Sequence, residues 1–163
     1  MFAFKTWSRL ASVMAILSIA LASTSCELFD KDDDKDDDSV KAKIVGTWQL
    51  KSLTCDPAID WFGTTVTNVY AQLPACIKDD LVIIQNNNTY LEDEGTSKCQ
   101  NSDPQTVTGT WALNPAQTIL SVSRDGDTES WNLSNLGKSE FTAEYEIEEG
   151  GVTYTFKAVY VKK

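Results

Sequence analysis

Histidine is absent from the 163 residues, and basic side chains are scarce: 14 lysines and arginines stand against 24 aspartates and glutamates, a formal net charge of −10. A Ser-His-Asp triad and a histidine-ligated metal site are therefore excluded. The negative charge disfavours nucleic acid as a partner, because the phosphates would be repelled. No glycine-rich phosphate loop follows a predicted strand, and no pair of carboxylates can be assigned to one cleft. We therefore predict a protein that is not an enzyme and that needs neither a metal nor a cofactor.

The first 25 residues have the organisation of a secretory signal peptide. Lys5 and Arg9 lie beside an apolar run, residues 10–22, which is too short to span a membrane and is followed by small residues. Cys26 comes directly after them, an order that resembles the bacterial lipobox, in which the cysteine is lipidated and becomes the mature N-terminus. We predict a lipoprotein signal peptide over residues 1–25 and lipidation at Cys26. An ordinary signal peptide beside an unrelated cysteine is the alternative.

Residues 26–39 are predicted to be an acidic, disordered tether. Eight acidic residues stand against two lysines from Glu27 to Asp38, with no helical or strand period, and such a run extends by self-repulsion. A calcium loop is disfavoured because the glycine and closing glutamate of an EF-hand are missing. The acidic stretch resembles the surface-export signal of Bacteroidetes lipoproteins, and Ser39 resembles that phylum's O-glycosylation site. We expect an outer-membrane, lipid-anchored protein at the cell surface, with the periplasmic face as the alternative.

Residues 40–163 alternate repeatedly between apolar and polar side chains, which is typical of strands with one buried face. Eight strands are predicted, with turn signals at 86–88, 125–127 and 150–151, and no convincing helix lies among them. Strands joined by short turns form an antiparallel up-and-down meander. Eight such strands can close into a barrel whose interior is filled by side chains or holds one small ligand. The predicted fold is therefore all-β, with an open two-sheet sandwich as the alternative.

Two segments carry a family resemblance. Gly46-Thr47-Trp48 resembles the Gly-x-Trp signature of lipocalins, and the pattern from Cys76 to Trp111 resembles the lipocalin-like lipoproteins of Bacteroidetes. The resemblance covers residues 40–163 and implies a calycin-type barrel domain on an outer-membrane lipoprotein. Lipocalins place an arginine of the last strand over the tryptophan, whereas the last strand predicted here offers only Lys157.

The cysteines of the predicted barrel domain suggest one disulfide bond. Cys76 and Cys99 are symmetric about the midpoint between Asn87 and Asn88, so antiparallel pairing across that turn would bring them opposite each other. We expect them to be bonded, because the compartment beyond the inner membrane is oxidising. A bond between Cys55 and Cys76 is the alternative. A reactive Cys55 is disfavoured because no histidine is present to activate it.

The longest connection, residues 55–80, is called the lid segment below. Its aromatic side chains argue against disorder, and in a lipocalin-like barrel the first inter-strand loop lies over the open end. The candidate ligand contacts are aromatic residues of this segment and of the strands: Trp48, Trp61, Phe62, Tyr70, Trp111, Tyr145, Tyr154 and Phe156. We expect the lid segment to plug the barrel mouth and the strand aromatics to be ordinary core, with a gated ligand entrance as the alternative.

Two functions follow from this organisation. The expected one is a surface lipoprotein that holds a small, largely apolar molecule in its barrel. The alternative is a non-catalytic interaction module, such as a complex subunit or a protease inhibitor, with a filled barrel. An interior pocket of roughly 300–1,000 Å³ lined mainly by apolar groups would favour the first. The expected partners are the membrane, through the N-terminal lipid, and either a small apolar ligand or another protein.

Overall fold

The computed structural model describes residues 39–163, so the predicted signal peptide, Cys26 and most of the acidic tether lie outside the described residues. No helix in the described part is long and apolar enough to cross a membrane. The elements, in chain order, are α1 (Val40–Ile44), β1 (Gly46–Trp61), β2 (Thr64–Asn68), α2 (Val69–Gln72), α3 (Ala75–Lys78), β3 (Leu81–Ile84), β4 (Thr89–Asp93), β5 (Thr106–Leu113), β6 (Ile119–Arg124), β7 (Asp127–Ser134), β8 (Glu140–Glu149) and β9 (Val152–Lys162).

The nine strands form one antiparallel sheet that closes on itself. Their order is β2-β1-β3-β4-β5-β6-β7-β8-β9, and β1 also pairs with β9. The predicted eight-stranded up-and-down barrel is thereby confirmed, and its strands are β1 and β3–β9. The long strand β1 serves three neighbours in turn: residues 46–49 pair with β3, residues 48–56 with β9, and residues 59–61 with β2. The ninth strand, β2, is thus an appendage of the far half of β1.

The lid segment is more regular than the sequence pattern predicts. Strand β1 runs on to Trp61, turns through Phe62 and Gly63 with positive φ, and returns as β2. Asp60 Oδ1 accepts a hydrogen bond from Gly63 N at 2.7 Å, which holds this turn. The expectation of no helix was wrong for α1, α2 and α3, which have five, four and four residues. Helices of about one turn are too short to show a 3.6-residue period.

The end of the barrel near α1 is filled by a first hydrophobic cluster, in which Trp48 and Trp111 are central. Trp48 Nε1 donates to the Ile44 carbonyl and Trp111 Nε1 to the Gln85 carbonyl, both at 2.8 Å. Each ring is therefore buried with its polar atom satisfied. The buried members of this cluster are Ile44, Trp48, Ile84, Tyr90, Trp111, Leu120, Val122, Trp131, Phe141 and Ala143.

The cation over Trp48, the tryptophan of the Gly-x-Trp segment, is Lys162. The expectation that the last strand offers only Lys157 for this position was wrong. Lys162 Nζ lies 5.3 Å from the centroid of the Trp48 ring. Lys157 instead pairs with Glu144 at 3.0 Å on the outer face. Strand β9 continues two residues beyond Tyr160, which brings Lys162 to the end of the barrel where Trp48 lies.

A second hydrophobic cluster joins the lid segment to the barrel. Its buried residues are Cys55, Val69 and Leu73. Half-buried side chains from β1, the two lid helices and β9 pack around them: Leu50, Leu53, Ile59, Trp61, Tyr70, Ile77, Tyr154 and Phe156. The lid segment thus packs onto the barrel through this second cluster.

The predicted disulfide bond between Cys76 and Cys99 is present, with the two Cα atoms 5.3 Å apart. It is not a cross-strand bond of the β3–β4 hairpin, because that ladder extends only to the pair Leu81 and Asp93. The bond connects α3 of the lid segment to the loop after β4. Cys55 is buried and free, so the alternative bond between Cys55 and Cys76 was wrong.

Candidate ligand-binding site

A cavity of about 240 Å³ remains inside the barrel at the lid end. Its wall combines apolar side chains with charged ones. The lining residues are Leu50, Ile77, Asp80, Leu81, Val82, Glu92, Asp93, Glu94, Val107, Arg124 and Tyr160. The cavity is therefore roofed by α3 and enclosed by β1, β3–β6 and β9.

Strand alternation explains why charged side chains point into the barrel here. Glu92 follows the buried Tyr90 by two residues, and Arg124 follows the buried Val122 by two residues. Residues two apart on a strand share a face, so both side chains project inward. The same layer is completed by side chains from three other strands, those of Leu50, Val82 and Val107.

Arg124 is the centre of a polar network across this layer. Its guanidinium forms ion pairs with Glu92 and with Glu129, the latter at 3.5 Å. Tyr90 donates its hydroxyl hydrogen to Glu92 Oε1 at 2.8 Å, and Trp131 Nε1 donates to Glu129 Oε2 at 3.3 Å. Burial raises the pKa of Glu92, and the neighbouring Arg124 opposes that rise. Arg124, the one cation among the described residues that line the cavity, is thus already shared between two carboxylates.

Asp80 lies directly after the lid helices and has a different environment. Its Oδ1 is buried and has no hydrogen-bond partner. Burial, with smaller contributions from Glu94, Asp79 and Glu92, raises the pKa of Asp80 to about 7. Such a carboxyl is uncharged in about half of the molecules at neutral pH and gains a proton readily.

The neighbouring Asp79 shows the opposite behaviour. Its carboxylate accepts hydrogen bonds from the hydroxyls and backbone N–H groups of Thr96 and Ser97 at 2.5 to 3.1 Å. These bonds, the Thr96 hydroxyl foremost, lower the pKa of Asp79. Asp79 therefore fastens the lid to the loop after β4, beside the disulfide bond, while Asp80 faces the cavity unpaired.

The predicted contact residues are divided between the two clusters. Trp48 and Trp111 lie in the first cluster, whereas Trp61, Tyr70, Tyr154 and Phe156 lie in the second. Tyr145 stacks on Phe156 with ring centroids 5.3 Å apart. Phe62 is 85% exposed at the tip of the β1–β2 hairpin. The lining of the 240 Å³ cavity includes none of these eight residues.

The residues that sequence reasoning missed are mainly the charged ones, Asp80, Glu92 and Arg124. A signal for the last two was available, since each occupies the inward phase of its strand. Charged side chains at a strand end are usually taken for the beginning of a turn. Asp80 had no comparable signal, because only the lid helices bring it to the barrel mouth.

A second opening lies in the barrel wall. Strands β7 and β8 pair at three positions, from Asn132 with Glu144 to Ser134 with Thr142, and then diverge. A space of about 500 Å³ lies between the diverging strands, lined by Thr128, Glu129, Ser130, Asn132, Tyr145, Glu146 and Ile147. Since Glu129 lines this space and contacts Arg124, the ion pair between them separates the lateral opening from the cavity. Of the predicted contacts, Tyr145 borders the opening.

The described residues, 39–163, contain no group of three or more histidine, cysteine, aspartate or glutamate side chains placed to hold a metal ion. The carboxylates of the cavity are spread along its wall instead.

Comparison with known proteins gives one family and a set of distant structures. A family model described as a lipocalin-like domain matches residues 44–143. Bovine odorant-binding protein in complex with a selenium-containing odorant has a TM-score of 0.43 at 8% identity, covering 82% of this chain and 78% of that one. The same bovine protein with its natural ligand has a TM-score of 0.43 at 10% identity, covering 82% and 77%. No curated protein matches the sequence.

Proposed function

The chain belongs to the lipocalin-like domain family, and we propose that its barrel binds a small, largely apolar molecule in the cavity at the lid end. The observation that carries this proposal is the cavity itself. The first cluster fills the end near α1, but about 240 Å³ between Leu50, Val82 and Val107 is left open. A closed barrel that leaves such a space near its mouth is suited to hold one small ligand.

The size and the wall of the cavity define the ligand further. Ligand pockets usually measure about 300–1,000 Å³, so a cavity slightly below this range fits a compact molecule. Leu50, Ile77, Leu81, Val82 and Val107 offer apolar contact, and each buried methylene of a ligand would contribute about 0.8 kcal/mol.

Thermal denaturation with a panel of small lipophiles tests this function. A ligand at a hundredfold excess over its Kd should stabilise the fold by about 2.7 kcal/mol. Val107→Trp, which fills the cavity, should remove the shift. Val152→Trp is the matched control, because Val152 is exposed at the start of β9. A panel without any shift, together with native mass spectrometry that finds no co-purifying molecule, would contradict the proposal.

We also propose that the protein is lipidated at Cys26 and anchored to the outer membrane, with the acidic tether exporting it to the cell surface. The support is the order of basic residues, apolar run and cysteine in the sequence. Cys26→Ser should release the protein from the membrane fraction, and continued membrane association would contradict lipidation. Deletion of residues 32–38 should abolish protease accessibility on whole cells. Unchanged accessibility would speak against the export signal.

A non-catalytic interaction module remains the second candidate, and one observation favours it. Phe62 is 85% exposed beside Trp61, on a hairpin that extends from the closed barrel. Large exposed aromatics often contact a protein partner. Cross-linking on whole cells should then give a partner band that Phe62→Ser removes. Ligand-induced thermal shifts should be unaffected by Phe62→Ser, which separates this role from binding in the cavity.

A further inference from the structure

The charged groups of the cavity are strongly unbalanced. Four carboxylates, those of Asp80, Glu92, Asp93 and Glu94, share the wall with the single guanidinium of Arg124. Arg124 is already paired with Glu92, and from outside the cavity with Glu129. The space between these groups therefore has a negative potential, which attracts a cation and repels an anion.

Two of these carboxylates, Asp93 and Glu92, already have partners within the protein. Asp93 accepts hydrogen bonds from Thr106 Oγ1 at 2.9 Å, from Gln105 Nε2 at 3.1 Å and from Gly95 N at 2.9 Å. Glu92 is bonded by Tyr90 and by Arg124. These groups shape the wall but have little capacity left for a ligand.

Asp80 differs from them because its buried Oδ1 lacks a donor. A buried acceptor without a hydrogen bond costs roughly 1–3 kcal/mol, so the native protein gains from any donor that reaches it. Arg124 does not supply this donor in the structure, because its guanidinium is bonded to Glu92 and Glu129. An ammonium group placed against the Asp80 side chain, which lines the cavity, would neutralise its charge, and rotation of the carboxyl group would let Oδ1 accept from the ligand N–H groups.

We infer that the cavity selects small amphiphilic amines, with the ammonium group at Asp80 and the apolar body against Leu50, Val82 and Val107. This inference rests on the proposed function and narrows its ligand class. The remaining carboxylates contribute through the potential that they create, and the apolar half of the wall contributes burial. Ligands of the same shape that are neutral or anionic should bind more weakly.

The affinity for an amine should depend on pH in a defined direction. The charged groups that face Asp80 are Asp79, Glu92 and Glu94 together with Arg124, and Tyr160 completes the wall. Burial and the carboxylates raise the pKa of Asp80 to about 7, while a ligand ammonium stays charged to about pH 10. Affinity should therefore increase about tenfold from pH 6 to pH 8, as Asp80 ionises.

The test uses three probes with one aromatic body: 2-phenylethylammonium, 2-phenylethanol and phenylacetate. Isothermal titration of the full chain at pH 8 should give at least tenfold tighter binding of the amine than of the alcohol, and the weakest binding for phenylacetate. Asp80→Asn should abolish the preference and flatten the pH profile, while the affinity for the alcohol stays within about threefold. Circular dichroism checks that this variant is folded. The pH dependence of amine binding by the unmodified protein tests the role of Asp80 without any substitution.

Glu148→Gln is the matched control. It removes one negative charge from an exposed position on β8 that does not line the cavity, so it should leave the amine affinity within about twofold. A similar loss in both variants would mean that net charge alone attracts the amine, which would overturn the role of Asp80.

The remaining outcomes separate this inference from the proposed function. Equal affinities for amine and alcohol would overturn the amine selectivity and leave ligand binding intact. Tighter binding of phenylacetate would overturn it and indicate Arg124 as the anchor. If none of the three probes binds but the lipophile panel gives thermal shifts, only the amine inference is overturned. If the lipophile panel gives no shift either, the proposed function is overturned as well.

Discussion

Lys162 Nζ lies 5.3 Å from the centroid of the Trp48 ring and 3.1 Å from the Val45 carbonyl oxygen, so one lysine closes the end of the barrel opposite the lid. The same region contains the glycine two residues before the tryptophan. Gly46 has a φ of +153°, which other residues rarely adopt, and a Cβ there would lie 2.6 Å from Lys162 Cε, so the end of the lysine side chain would have to move. Gly46, Trp48 and Lys162 therefore form one packing unit.

Lys162→Ala should destabilise the protein by about 1–2 kcal/mol, because a cation over a largely buried ring and a hydrogen bond to Val45 are lost together. Lys157→Ala is the control on the same strand. Its ion pair with Glu144 is about half exposed on both sides, so this change should cost less than about 1 kcal/mol. Urea denaturation of both variants measures the difference. Equal losses would show that the contact with Trp48 adds nothing.

The alternation of β9 could have identified Lys162 from the sequence. Tyr154, Phe156, Ala158 and Tyr160 occupy the inward phase, and Lys162 continues that phase, whereas Lys157 lies out of phase. A strand that is ended at Tyr160, the last aromatic residue of this phase, leaves Lys162 out, whereas β9 continues to Lys162. The eight strands of the barrel could be predicted from the same two-residue period. One face of each strand is buried, and burial of one face imposes that period on the sequence.

The regions that escaped prediction lack such a period for physical reasons. Strand β2 is the edge of the appended hairpin, so Thr64, Thr65, Thr67 and Asn68 are all exposed and show no alternation. The divergence of β7 and β8 also leaves no signal in the sequence. Each of the two strands remains paired on its other side, β7 with β6 and β8 with β9, so its alternation is unchanged. Asp80 reaches the cavity only through the path of the lid segment, which depends on tertiary packing.

The disulfide bond should contribute about 3 kcal/mol to stability, because it closes a loop of 23 residues in the unfolded chain. The double change Cys76→Ser and Cys99→Ser should therefore lower the denaturation midpoint while the barrel is retained. Non-reducing peptide mapping should show the two cysteines joined.

Burial raises the pKa of Cys55, so its thiol should resist iodoacetamide until the protein unfolds. Rapid labelling of Cys55 in the native state would contradict its buried position.

Truncation of single aromatic residues should distinguish the barrel core from the lid. Trp111→Ala should cost about 3–5 kcal/mol, since the ring is buried in the first cluster and its Nε1 is bonded to Gln85. Trp61→Ala should cost about 1–2 kcal/mol, because that ring is half-buried. Phe62→Ala should be nearly neutral. Guanidinium denaturation gives the order. A loss at Trp61 as large as that at Trp111 would show that the lid segment is an integral plug of the barrel.

Asp80 and Asp79 should give opposite dependences of stability on pH. The pKa of Asp80 is raised to about 7, so the folded state binds its proton more tightly than the unfolded chain does. This contribution is fully present below about pH 4, falls as the pH rises, and is gone above about pH 7. The pKa of Asp79 is lowered, so its contribution is present above about pH 4 and is lost as the pH falls below that value.

Asparagine substitutions at the two positions test these signs with one measurement. At pH 3, Asp80→Asn should match the unmodified protein, because the carboxyl of Asp80 is protonated there in both the folded and the unfolded chain. At pH 8 the same variant should be more stable by roughly 1–2 kcal/mol, an amount reduced by the solvent that still reaches the side chain. Asp79→Asn should instead be less stable at pH 8, since the amide cannot replace the carboxylate toward Thr96 and Ser97. Urea unfolding at both pH values gives the four differences. If Asp80→Asn is less stable than the unmodified protein at pH 8, then Asp80 has a stabilising partner in the native state and the unpaired carboxyl is ruled out.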